Sequence, residues 1–212
     1  MPTTRSDFLA TARVAARLLR HPALAGSWDK PSALPEFSVA GLAGHLAFQV
    51  TALPTILAGP IPPELPISLP EHYSRVAWVD ADLDHELNVR IRDSGEEAAA
   101  DGPAALADTV DAAIATLTET LPETPERTVR IQFWGPWSLT LEDMLLTRMM
   151  ELTVHSDDLA VSLGVPTPDF PPAAVEAVVD LLSRLALRRH GAPAVLRALT
   201  RAERAPASIT AF

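Results

Sequence analysis

The 212-residue chain contains no cysteine. That excludes disulfides, thiolate metal ligands and a protein-borne sulfur nucleophile, so any thiol chemistry must draw on an external thiol. Lysine is nearly absent too, Lys30 being the only one. Positive charge as a whole is in deficit: 17 basic residues stand against 27 acidic ones, for a net charge of −10. Such a field repels phosphate backbones and anionic headgroups, so neither nucleic acid nor a membrane is an expected partner. No run is read as reaching the roughly 20 apolar residues of a membrane span. The amino-terminal arginines are dispersed among apolar residues, unlike the layout of a secretory signal. A cytoplasmic protein is the expectation.

What is present is the material of a folded core. Hydrophobic residues make up 48% of the chain and charged residues 21%, a balance far from that of disordered sequences. The length suits one large domain or a bundle with an appendage. From Arg5 to Arg20 the residues Phe8, Leu9, Ala12, Ala15, Ala16 and Leu19 recur at helical steps, predicting an amphipathic first helix. Pro31 and Pro35 interrupt the chain, and Ser38 stands where an N-cap belongs, which predicts a second helix from Val39 to about Leu57, kinked or shortened by Pro54.

The proline-rich stretch from Gly59 to Pro70 reads as a connector. A helical segment is expected over 71–100 with a break at Asp93 to Gly95, and another opens at Pro103 and ends near Leu121. Val129, Ile131 and Phe133 alternate with polar residues between Thr128 and Trp134, the period of a half-buried strand. Thr140 and Asp143 resemble a capping pair for a long helix from Leu141 to Leu163, stopped by Gly164. Two more helices are predicted, from Pro171 to His190 and from Ala194 to Arg204.

The long helix carries chemistry. Glu151 and His155 are four residues apart, hence about 40° apart in azimuth and about 6 Å along the axis, so one metal ion can meet both. His45 lies close to the apolar face marked by Val39, Leu42, Leu46 and Val50 and is the natural third donor. Three protein ligands leave an open position, as in catalytic zinc sites. Spacing alone leaves the alternatives standing: a core histidine, and a solvated Glu-His pair.

Two blocks narrow the choice. WDKPSALPEFSVAGLAGHLA (Trp28 to Ala47) and WGPWSLTLEDMLLTRMMELTVHSDDLAVSLG (Trp134 to Gly164) resemble, in this order, the metal-binding domain of the mycothiol-dependent maleylpyruvate isomerase family, within the DinB/YfiT-like superfamily. The second block carries the family's Arg-x-x-Glu-x-x-x-His-x-x-Asp-Leu pattern. The resemblance, which covers roughly residues 5 to 165, implies a four-helix bundle; with the short β element and the additional C-terminal helices read from the sequence pattern, the expected fold is mainly α. Residues 1–165 would form the metal-binding bundle and 166–212 a helical extension packed on it.

On that resemblance His45, Glu151 and His155 occupy the ligand positions for a divalent metal, zinc foremost with nickel as the alternative, and mycothiol or a related small thiol is the co-substrate. The implied activity is thiol S-transfer, a metal-bound thiolate attacking an electrophile. A non-catalytic metal- or thiol-binding or sensing protein is the alternative, with maleylpyruvate isomerisation and metal-dependent hydrolysis ranked below it. Arg148 shares the ligand face and either pairs with Glu151 or holds an anionic group as a catalytic residue. Asp158, with Asp157 as competitor, would orient an imidazole. Gln49, Trp134 and Trp137 are candidates for the pocket, while His21, His72, His85 and His190 read as ordinary histidines.

One departure stands out. The isomerase proper carries a second domain with a catalytic arginine, and only 48 residues follow Gly164. Isomerisation is therefore not the expected reaction, although Arg197, Arg201 or Arg204 would be the tail's candidates for such an arginine. The apolar tail helices also make a homodimer an expected option.

Overall fold

Two side-chain caps set the helices that matter most. The Ser38 side chain accepts from the Gly41 backbone N–H and opens α3 (Val39–Ala58). Thr140 does the same for Asp143 and opens α7 (Leu141–Leu163), which Gly164 ends at φ +66°, in the left-handed region that a glycine occupies without strain. The computed structural model in which these elements are seen describes residues 4–79, 81–131 and 134–212.

Four helices close a ring. The first, α1 (Thr4–Leu19), packs on α7 and on α6 (Gly102–Thr120), and α3 completes the circuit by packing on both α6 and α7. Phe8, Leu42, Leu46, Leu117, Met144 and Leu145 are fully buried between them. Each contributes on the order of 1.5–3 kcal/mol relative to an exposed side chain. The fold is a mainly α, DinB-like bundle. The remaining helices lie outside the ring: α2 (Pro22–Ala25), α4 (Leu69–Arg75), α5 (Glu86–Ala99), α8 (Pro172–His190) and α9 (Ala192–Thr200). Of these, α5 packs on α3, α8 on α7 and α1, and α9 on α8.

Several sequence expectations need correction. By length and composition α3 is apolar enough to cross a membrane. In the fold it is the central helix, with Val39, Leu42, Leu46, Val50 and Leu53 all buried against neighbouring helices. Pro54 does not end it, because the helix runs on to Ala58. Its missing N–H costs the single bond to the Val50 carbonyl, which the rest of the helix tolerates.

The segment after the connector breaks earlier than expected. α4 ends at Arg75 and α5 does not begin until Glu86, and Gly95 sits inside a continuous helix. Gly95 is there for close approach. A Cβ on Gly44 would lie 2.0 Å from the Gly95 carbonyl oxygen, and one on Gly95 would lie 2.3 Å from that of Gly41. The backbones of α3 and α5 thus touch where side chains would hold them apart, an arrangement that offsets the roughly 1 kcal/mol helix cost of each glycine.

The strand is short. β1 (Thr128–Val129) pairs antiparallel with β2 (Leu139–Thr140), Val129 opposite Leu139. The expected strand extended to Trp134; Gln132 and Phe133 lie outside the described residues, and the Trp134 N–H bonds back to the Ile131 carbonyl in a turn. The pairing places β2 directly before α7 and so anchors the start of the helix that carries Glu151 and His155.

Candidate metal centre and its cavity

His45 on α3 faces Glu151 and His155 on α7, two helices packed against each other in the ring. Nε2 of His155 is 3.1 Å from Oε2 of Glu151, and Nε2 of His45 is 3.5 Å from the same oxygen. One donor atom from each of the three residues falls within 4.8 Å of the others. Ligand atoms about 2.05 Å from a tetrahedral metal are separated by about 3.3 Å, so the two nitrogen-oxygen distances match what a shared ion requires. The donor set, two imidazoles and one carboxylate, is also of the type that holds zinc with an open position. A divalent metal fits these three residues.

The surrounding bonds orient the donors. Nδ1 of His155 is 3.0 Å from Oδ2 of Asp158, which turns Nε2 toward Glu151. Asp157 is exposed and accepts from Thr167 instead. Gln49 is buried one turn after His45, and its amide donates to the His45 carbonyl at 2.9 Å. Its other end, Oε1, accepts from the guanidinium of Arg148.

Charge is concentrated here. Burial works against ionisation of Glu151, but hydrogen bonds from His155 and His45 outweigh it and hold the carboxyl well below its ordinary range. Burial likewise disfavours charge on His155, yet Asp158 and Glu151 together push its pKa up to about 9. Burial lowers His45, with the neighbouring His155 adding to the effect. In the metal-free protein the pattern is a neutral His45 and a protonated His155 held by two carboxylates, a proton that a metal ion would replace.

Arg148 does not pair with Glu151 within ion-pairing distance. It is 6% exposed, it donates to Gln49 and Thr147, and its guanidinium lies 5.0 Å from the centre of the Trp134 ring. Burial lowers its pKa, and Glu151 and Tyr73 act on it only through space.

The three donors open onto a cavity of about 650 Å³ that His45, Gln49, Arg148, Glu151, His155 and Trp134 all line. Its other walls are largely apolar, with Phe37, Phe48, Trp78, Leu87 and Phe212 among them. Trp137 is not part of the lining; it lies behind His72 and donates its indole N–H to Nδ1 of that histidine at 3.0 Å. Arg197, Arg201 and Arg204 do not line the cavity; Arg201 and Arg204 bond within the tail, to the Thr200 carbonyl and to Glu203.

Sequence reasoning passed over His72, which the fold buries to 2% exposure in the cavity wall. Its position on the short α4, with no partner at helical spacing, gave no signal. The aromatic partners Tyr73, Trp78 and Phe212 were missed for the same reason, since Phe212 meets Tyr73 and Trp78 at 5.5 and 5.0 Å from the far end of the chain.

No curated protein and no solved structure matches the chain. Over residues 8–160 it matches the family described as the Mycothiol maleylpyruvate isomerase N-terminal domain. That span takes in α3 and α7 with all three donors, and the chain belongs to this family.

Proposed function

We propose that the protein is a metal-dependent thiol S-transferase that uses mycothiol or a related small thiol against an electrophile bound in the cavity. One observation carries the reading: two imidazoles and a carboxylate, spaced for a single ion, line a large and mainly apolar cavity. His45, Glu151 and His155 would hold the metal, zinc by the chemistry of the donor set. When bound, a divalent metal lowers the pKa of a thiol ligand, so that the nucleophilic thiolate is available near neutral pH. The absence of cysteine makes an external thiol the required sulfur source.

The chain's own residues do the rest. Asp158 keeps the His155 ring turned toward Glu151, and Gln49 ties the His45 backbone to Arg148. Arg148 is the catalytic residue of this reading: its buried positive charge, with no carboxylate ion-paired to it among the described residues, holds an anionic group of the thiol or the electrophile. The apolar walls exclude water, which strengthens each of these interactions. The protein would act in the cytoplasm on small molecules, with residues 166–212 as an extension of the bundle.

The test is turnover of mycothiol with a generic electrophile by zinc-loaded protein. A rate no faster than that of a His155→Ala variant would sink the proposal. Thiol binding with no product would favour a binding or sensing protein.

A further inference from the structure

His72 is the one buried histidine in the cavity wall that is not part of the donor cluster. Its Nδ1 accepts the indole N–H of Trp137 at 3.0 Å. Indole nitrogen only donates, so Nδ1 must be unprotonated. The ring proton of neutral His72 therefore resides on Nε2, the only ring nitrogen left to meet a ligand.

Three contacts hold this imidazole in place. Trp134 lies 4.5 Å away between ring centres and Tyr73 4.9 Å. Trp137 is itself fixed by the turn beneath it: at Gly135, with φ +142°, a Cβ would lie 2.1 Å from the Trp137 ring. Only glycine leaves the indole that space. Trp134 also carries Arg148 on its ring at 5.0 Å, so the same tryptophan contacts both the neutral histidine and the buried cation.

Burial, and then the charge of Arg148, lower the His72 pKa to about 4 against a weaker opposing influence from Glu151, which keeps the ring neutral at physiological pH. A neutral donor beside a guanidinium that ion-pairs with no carboxylate among the described residues suits an oxygen bearing negative charge. The apolar lining supplied by Phe37, Trp78, Leu87 and Phe212 suits the body to which such an oxygen is attached.

We infer that His72, fixed as its Nε2–H tautomer by Trp137, donates a hydrogen bond alongside Arg148 to the oxyanion end of an apolar ligand, and so selects anionic apolar molecules for the cavity. The inference rests on the reading of this cavity as the electrophile's site, and it assigns His72 a binding role and Trp137 a positioning role.

Benzoate is the probe, titrated into metal-free and zinc-loaded protein with tryptophan fluorescence as the signal. Metal-free wild-type protein should bind it, and His72→Phe should weaken binding about tenfold or more, as expected for a lost hydrogen bond to a charged acceptor. His72→Gln, which keeps an N–H, should lose less. Nitrogen-15 spectra of the imidazoles should show His72 neutral with the proton on Nε2 at pH 7, and Trp137→Phe should abolish that signature while weakening benzoate binding. Equal affinity in His72→Phe, binding of benzoate only when zinc is present, or a proton on Nδ1 would each overturn the inference. The visible spectrum of cobalt-substituted wild-type protein reports the metal site separately: absence of cobalt binding would sink the metal reading and leave the benzoate result standing.

Discussion

Arg148 reaches Oε1 of Gln49, one turn from His45 on the opposite helix, and not the carboxylate of Glu151 three residues away on its own. The Glu151 oxygen is thereby left to the two histidines. Replacing Gln49 by leucine removes the acceptor and leaves a buried charge with one hydroxyl partner, Thr147. Loss of about 2–4 kcal/mol of stability is expected, measured by urea unfolding of metal-free protein. No loss would show that the bond contributes nothing.

The ligand assignment predicts metal content. His45→Ala takes away the one donor that α3 contributes, leaving two on α7, so purified protein should lose nearly all of its bound metal by elemental analysis. Retention of metal at the wild-type ratio would place the ion elsewhere.

Asp158 and Asp157 give a matched pair. Asp158 bonds the His155 ring and Asp157 does not. Asp158→Asn should weaken zinc affinity by roughly 10- to 100-fold, whereas Asp157→Asn should leave it unchanged. Competition against a zinc chelator distinguishes the two.

The α3–α5 contact predicts a strong effect from a single methyl group. With a Cβ at Gly44 placed 2.0 Å from the Gly95 oxygen, Gly44→Ala must push the helices apart. We expect about 1–3 kcal/mol of destabilisation and weaker metal binding, because His45 is the next residue. A Gly26→Ala variant, at φ −75° and with a Cβ that would meet only the Ala23 carbonyl oxygen at 3.8 Å, serves as the comparison and should disturb neither the contact nor the metal.

Acid should destabilise the metal-free fold partly through His72. Its folded pKa of about 4 lies below the ordinary histidine value of 6.5, so between these two values the unfolded chain binds a proton that the folded one refuses. Stability from this group is complete above pH 6.5 and falls as pH drops toward 4, by about 2–3 kcal/mol. His72→Phe should flatten the pH dependence in that window, whatever its effect on stability at pH 7. An unchanged slope would count against a buried, neutral His72.

Local sequence determined much of this protein. Ser38, Thr140 and Gly164 fix the ends of α3 and α7, because a cap is a matter of a few neighbouring backbone groups. The four-residue spacing of Glu151 and His155 similarly predicts that they share a face, and they do, at 3.1 Å. The apolar face of its own helix nominated His45 and the family blocks supported it, but its meeting with residues more than 100 positions away is something no helical period can convey.

The tertiary structure alone decided the rest. Gly95 reads as a break in the sequence, where a glycine lowers helix propensity, and becomes a helix interior because the α3 backbone approaches too closely for a side chain. Arg148 had two partners open to it by spacing, and the ring of helices gave it a third from α3. His72 looked ordinary because its meaning depends on Trp134 and Trp137, more than 60 residues away. Such contacts are fixed by which helices pack together, and that is settled by burial of the whole core rather than by any one segment.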